Sequence, residues 1–377
     1  MAKAKKYTYK VKEKKKKSPL AKVFTIIGII VAAIIVIAAA YVAYVFIDFQ
    51  RIDDNQVLTA YGEAEQEKFT TGKEMTIISY NIGFGAYSDD YTFFMDGGKE
   101  SWAFSKEAVY ENIDGAMGVM GRFNPEIALL QEVDFDGTRS YHIDEIELAQ
   151  NAMWELGDYS TMFAQNYDSP FLMYPITQPH GKNKAGIMTF SKAKITDGLR
   201  RSLPIEEGLS KVLDLDRCYS KARIPVENGK ELVVYNMHLS AYTAKAETAE
   251  IQLGMVVQDM QAEYDKGNYC IAGGDFNRDL LGNSPAIFHT DRLDDNWAQP
   301  VNMSLFTDDI TLVAPYQERE RAASCRNPNK PFKKGDFVVT VDGFIVSANV
   351  EVTYSNVIET GFKYSDHNPV WMKFKLK

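Results

Sequence analysis

The chain has 377 residues, 45% of them apolar and 25% charged, which is the balance of a packed globular protein and not of a disordered one. Its net charge of −9 is asymmetric: residues 1–47 carry ten lysines against one acid, Glu13, whereas residues 48–377 carry 32 basic and 50 acidic residues, or −18. So acidic a body disfavours loose binding to nucleic acid, and three scattered cysteines speak against a disulfide framework or a zinc site.

In chain order, residues 1–22 form a basic tail, densest at Lys14-Lys15-Lys16-Lys17. Residues 23–47 then run without a charge, long enough to span the roughly 30 Å hydrocarbon core of a bilayer as one transmembrane helix. The lysines place the N-terminus in the cytoplasm and the body outside, a single-pass cell-membrane arrangement. A cleaved signal peptide is the alternative, with Ala38-Ala39-Ala40 as the cleavage site. The apolar run continues through residues 41–47, beyond a typical signal core, and favours an uncleaved anchor. Residues 48–73 are polar and poorly patterned and read as a linker.

The body, residues 74–377, opens with a strand at 75–80 that ends on Asn81. Ser105 is a candidate N-cap for a helix over 107–123, with Val109, Ile113, Met117 and Met120 near helical spacing. A buried-type strand at 127–130 ends at Gln131-Glu132, and a second helix is expected over 144–156. Residues 185–191, 217–226 and 232–237 read as strands, the last ending at His238. A helix over 244–264 presents Ala249, Leu253, Val256, Val257 and Met260 on one face. The strand at 268–272 is followed by Gly273-Gly274, expected to turn the chain sharply, and then by Asp275-Phe276-Asn277. Two apart in an extended segment, Asp275 and Asn277 would point the same way. A strand over 337–347 contains Asp342, and Tyr364-Ser365-Asp366-His367 precedes a closing strand at 370–376. Incomplete strand–helix alternation points to an α/β fold with much antiparallel pairing. Cys270 is expected in the core. A Cys218–Cys325 bridge is conceivable in an exported domain, though the spacing offers no support for it.

Individually, each polar strand end has a bland explanation: a turn asparagine, a solvated glutamate, a satisfied core histidine. Their recurrence carries the argument. Five apolar strands deliver Asn81, Glu132, His238, the Asp275/Asn277 pair and Asp342, and Asp366-His367 adds a sixth cluster that includes one of only five histidines. Carboxylates, amides and histidines without a thiolate cluster suit a hard divalent cation, Mg²⁺ or else Mn²⁺ or Ca²⁺. With histidines to move protons, this is a set for hydrolysing a phosphate ester. No serine nucleophile elbow, phosphate-binding loop or dinucleotide fingerprint competes with it.

Taken together, Ser79-Tyr80-Asn81, Leu130-Gln131-Glu132, Asn236-Met237-His238-Leu239, Gly274-Asp275-Phe276-Asn277, Val341-Asp342-Gly343-Phe344-Ile345 and Ser365-Asp366-His367-Asn368-Pro369-Val370 resemble the motifs of the endonuclease/exonuclease/phosphatase superfamily, in its order, over residues 74–377. The resemblance implies a four-layer α/β sandwich: two mixed, largely antiparallel β-sheets flanked by helices. It implies Glu132 as principal metal ligand with Asn81 and Asp366, and His367, oriented by Asp342, as general base. It further implies that Asp275 and Asn277 position water and phosphate, and that His238 contacts the scissile phosphate. The chain departs from many nuclease members in carrying Gly83 where they carry a carboxylate. Its His238 is more like the deoxyribonuclease-I, sphingomyelinase and inositol-phosphatase branches. The expected activity is a divalent-metal-dependent, membrane-anchored phosphodiesterase or phosphatase. Its substrate would be a nucleic acid, phospholipid or small phosphodiester, and no protein partner is implied. The alternatives are an extracellular nuclease and a catalytically inactive binding domain.

Overall fold

The computed structural model describes residues 18–49, 51–206, 215–241, 247–290 and 297–377. The chain divides at Asp48/Phe49 into two units. The first contains helix α1 (Pro19–Asp48), 30 residues with a mean hydropathy of 3.0 over its most apolar window. At 1.5 Å per residue it is about 45 Å long, enough to cross a bilayer. It starts four residues before the uncharged run, where Ser18 accepts the Ala21 N–H at 3.2 Å, so Lys22 lies in its first turn.

The second unit begins with β1 (Gln56–Val57), β2 (Ala60–Tyr61), β3 (Met75–Asn81), α2 (Lys106–Gly121), β4 (Ile127–Gly137) and α3 (Glu145–Trp154). It continues through β5 (Ser160–Asp168), β6 (Asn183–Ser191), β7 (Asp197–Ser202), β8 (Cys218–Pro225), β9 (Glu231–His238), α4 (Glu247–Tyr264) and β10 (Tyr269–Asp275). The remaining elements are α5 (Ser284–Phe288), β11 (Ile310–Val313), β12 (Cys325–Arg326), β13 (Val338–Val339), β14 (Asp342–Ser347), β15 (Val350–Val357) and β16 (Val370–Leu376). One seven-stranded sheet runs β1-β7-β8-β9-β10-β14-β11, the other β15-β16-β3-β4-β6-β5-β2. Both are mixed: β9/β10 and β3/β4 are parallel pairs among antiparallel ones.

Alternate residues explain the layers. Ile77, Leu129, Val234, Ile271, Phe344 and Met372 face the space between the sheets and form one core. Their neighbours Ile78, Tyr80, Ala128 and Leu130 pack outward against α2 and α3. On the other sheet, Val233, Tyr235, Cys270 and Ile345 pack against α4. Strands buried on both faces read as continuous apolar runs, and that is why they stood out in the sequence. The expected four-layer sandwich is the architecture found.

Several boundaries differ from expectation for local reasons. Ser105 caps α2 by accepting the Ala108 N–H at 3.1 Å, and Asp144 caps α3 by accepting that of Glu147 at 3.1 Å. The proposed start of α4 at residue 244 lies outside the described residues. Residues 48–73, read as a linker, do more than connect: β1 pairs with β7, β2 with β5, and Phe69 is buried between the sheets. Composition missed this because short edge strands are held by main-chain bonds. The segment 337–347 is two strands, because the Ser324 hydroxyl accepts the N–H groups of Val341 and Asp342 and interrupts the ladder. All three cysteines are free and buried, so the Cys218–Cys325 bridge does not form.

Candidate active site

Every candidate residue lies at one end of the sandwich, and pairing register explains how. In parallel β9/β10, His238 stands opposite Asp275, and in antiparallel β10/β14, Asp275 stands opposite Asp342. Asn81 lies opposite Gln131 in β3/β4, and the loop before β16 reaches the same end because Val370 pairs with Ser79. Asn81, His238, Asp275 and Asp342 each continue the series of alternate residues that faces the inter-sheet core. The core stripe of each strand therefore ends in a polar group, and the stripes converge.

Glu132 falls out of that phase. Between Leu130↔Met188 and Val133↔Gly186, two residues of β4 oppose one of β6, and Glu132 has φ 55°. This bulge re-aims the carboxylate into the site. Beneath it, buried Gln131 donates to Asn236 Oδ1 at 2.7 Å and to Ser79 Oγ at 3.2 Å, joining the two sheets.

The two glycines before Asp275 do not turn the chain as expected. β10 stays paired through Asp275, and a Cβ on Gly274, with φ 143°, would meet the Met237 carbonyl at 1.9 Å. They permit close packing at the sheet end. The turn comes after Asp275, where its Oδ1 accepts the Asn277 N–H at 2.8 Å. Asn277 (φ 50°) is not extended, and its Nδ2 donates to Leu239 O at 2.8 Å. Both residues still line the cavity, Asp275 by continuing the alternation of β10 and Asn277 by the Asx turn that follows it.

His367 Nδ1 lies 2.8 Å from Asp342 Oδ2, with both side chains almost wholly buried. Its Nε2 faces Asp275 Oδ2 (3.7 Å), Asn81 Nδ2 (3.5 Å) and Cys325 Sγ (3.6 Å). His238 Nε2 is 3.5 Å from the same Asp275 oxygen. The loop is fixed by Ser365, which donates to Asn81 O at 2.7 Å and accepts the His367 N–H at 3.1 Å. Gly83 has φ 54°, and a Cβ there would lie 2.8 Å from Tyr87 Cδ2, so a side chain at this position would press on the Tyr87 ring.

The electrostatics separate the two histidines. Burial, reinforced by the charges of Arg217, His367 and Arg139, holds His238 well below the ordinary histidine range and keeps it neutral. Burial also opposes charge on His367, but the Asp342 carboxylate outweighs it and raises His367 well above that range. Burial and the like charge of Asp342 raise Asp275. Burial pushes Asp366 up to about 7, with His367 opposing and Glu132 adding repulsion.

These groups open onto a cavity of about 280 Å³ lined by Glu132, His238, Asp275, Asn277, Asp366 and His367. Asn81 and Asp342 stand behind them. Sequence reasoning missed other lining groups, among them Tyr87, Arg139, Tyr167, Arg217 and Cys325. Arg139 is held by Asp134 at 3.0 and 2.8 Å, and its guanidinium carbon lies 3.8 Å from the Phe84 ring centroid. Only the Asp134/Arg139 spacing could have hinted at it. Cys325 arrives through a single backbone bridge to His367, which leaves no sequence signal.

Residues 78–367 match the family described as Endonuclease/Exonuclease/phosphatase family. The chain belongs to this family. No curated protein matches the sequence. Among solved structures, an endonuclease/exonuclease/phosphatase from Beutenbergia cavernae is 17% identical with a TM-score of 0.51, covering 81% of this chain and 72% of its own. The human Nocturnin catalytic domain with bound sulfate is 14% identical with a TM-score of 0.51, over 85% and 97% of the two chains. ANGEL2, a 2′,3′-cyclic phosphatase, is 15% identical with a TM-score of 0.51, over 85% and 99%. At these identities they establish the endonuclease/exonuclease/phosphatase fold and nothing about substrate.

Proposed function

We propose that this chain is a divalent-metal-dependent phosphoric ester hydrolase, of phosphodiesterase type, anchored by residues 23–47 with its catalytic domain outside the membrane. The observation that carries the reading is the buried Asp342–His367 pair, whose free nitrogen faces Asp275 and the cavity. Asp342 fixes the ring with Nδ1 protonated, so Nε2 in its neutral form takes a proton from water. Neutral His238 can donate to a phosphoryl oxygen. Asp275 and Asn277, locked by their Asx turn, position water and phosphate, and Arg139 adds a fixed positive charge.

The donor set fits a hard cation. Glu132 and Asp366 present carboxylates to the cavity, and their mutual repulsion would be relieved by a cation between them. Asn81 presents Nδ2 to Glu132 (3.1 Å) and Asp275 (3.2 Å) while its Oδ1 accepts the Gly83 N–H at 3.1 Å, so to join as a ligand its amide would reverse and give up that bond. Asp275, Asp342 and His367 also offer ligand atoms within 4.8 Å of one another, but Asp342 and His367 are already bonded to each other. Glu132, Asp366 and Asn81 are therefore the better set, with Mg²⁺ the first choice and Mn²⁺ or Ca²⁺ chemically close. When bound, such an ion would polarise a phosphoryl oxygen and steady the departing one.

The test is a substrate panel with Mg²⁺: DNA, RNA, sphingomyelin, phosphoinositides and a bis-aryl phosphodiester. Hydrolysis of at least one, abolished by chelator and by Glu132→Gln, is expected. Activity that survives chelator removes the metal reading, and inactivity on every ester removes the enzyme reading.

A further inference from the structure

Between β5 and β6, residues 169–181 contain no charged residue, in a body that otherwise carries 82 charges. The segment folds back on itself: Leu172 pairs with Gly181, and the His180 N–H donates to Tyr174 O at 3.2 Å. Its tip turns apolar side chains outward. Phe171 is 41% exposed, Met173 49%, Tyr174 71% and Ile176 83%, the highest value for a large hydrophobic residue among the described residues. Leaving four such groups in water within six residues is unfavourable by the usual cost of apolar surface, and patches of this kind mark contact sites.

The tip adjoins the cavity. Tyr174 packs on Phe94, with ring centroids 5.8 Å apart, and Phe94 sits between Phe93 and Met95, both of which line the cavity. Met95 is itself 47% exposed and extends the apolar surface to the mouth.

We infer that this uncharged tip docks into the surface of a phospholipid bilayer, presenting lipid headgroups to the active site. The inference rests on the membrane-anchor reading. Residues 49–55 are all that separate the end of α1 from β1, where the chain is already paired into a sheet. Eight extended steps cover at most about 28 Å, so in the anchor reading the start of β1 is tethered to the last residue of a membrane helix by a chain no longer than that. Composition selects lipid over nucleic acid. Bases stack on aromatic rings and need cations for the backbone, whereas the tip offers Met173 and Ile176 beside its rings and no basic residue. Side chains of this kind enter the headgroup–acyl boundary to a depth of about 5–10 Å.

The experiment uses the full chain in phosphatidylcholine nanodiscs, with an environment-sensitive fluorophore on Ile176→Cys or, separately, on Ile47→Cys. The three native cysteines are buried, and because Cys325 lines the cavity the chain without an introduced cysteine is carried through the same labelling as the control. Both labels are expected to shift to the blue and to be quenched by lipid-borne nitroxide. Quenching at 47 but not at 176 overturns the docking and leaves the anchor standing. Quenching at neither overturns both. A blue shift at 176 without quenching means that protein and not lipid covers the tip, which also overturns the inference. In activity, Ile176→Asp should lower the ratio of bilayer-lipid to soluble bis-aryl ester turnover about tenfold. An unchanged ratio overturns it.

Discussion

The Asp342–His367 pair yields the sharpest prediction. At 2.8 Å, with both side chains almost wholly buried, the carboxylate is placed to orient the imidazole. Asp342→Asn would set an amide N–H₂ or a weaker acceptor against Nδ1 and disturb the tautomer that leaves Nε2 free. His367→Ala removes the base, which should cost about 10²–10⁴ in kcat, or roughly 3–5 kcal/mol of barrier. Residues acting as one unit are not additive, so the double variant should be scarcely slower than His367→Ala alone. KM for a soluble bis-aryl phosphodiester should move little, since neither residue is proposed to hold the ground state. Because Asp342 raises His367, the acid limb of the pH–rate profile should move to lower pH in Asp342→Asn: the base then loses its proton sooner as pH rises. Circular dichroism establishes that each variant is folded before rates are compared. If the two single losses multiply cleanly in the double variant, the residues work independently and the dyad assignment is wrong.

Gly274→Ala should destabilise by about 3 kcal/mol or more, because its Cβ would lie 1.9 Å from the Met237 carbonyl; a melting temperature within a degree or two of wild type would contradict the packing described. Glu263 accepts from Arg223 at 2.6 Å, Lys221 at 2.8 Å and Asn268 at 2.9 Å, and these bonds outweigh burial and hold its carboxyl well below the ordinary range. A depressed folded value means that its stabilisation is complete above about pH 4.5 and is lost as pH falls below that. Glu263→Gln should cost about 3 kcal/mol near neutrality, toward the low end for a broken buried pair because Lys266 and Arg223 keep some solvent, and should flatten the acid limb of denaturant-derived stability. An uncleaved anchor predicts that protease added to intact cells removes the domain while the lysine tail is protected; a soluble mature form starting near Tyr41 would establish cleavage instead.

Much of this protein was legible in its sequence because the relevant codes are local. An uncharged run of residues 23–47 specifies a spanning-length helix whatever surrounds it. Period-two burial specifies which strand residues share a face, so Asn81, His238, Asp275 and Asp342 could be recognised as the polar ends of apolar strands. What the sequence could not specify depended on partners distant along the chain. Glu132 reaches the site only through a bulge against β6, and Gly273-Gly274 stay in the strand because Met237 and Phe344 lie against them. Segment 337–347 breaks where the Ser324 hydroxyl takes two of its N–H groups, and Arg139 and Cys325 enter the cavity through contacts without any motif. Residues 56–61 join both sheets through main-chain bonds that any side chains would allow. Side-chain pattern encodes the face a residue occupies; register, bulges and cavity walls follow from which strands meet, and that is fixed only when the whole chain has packed.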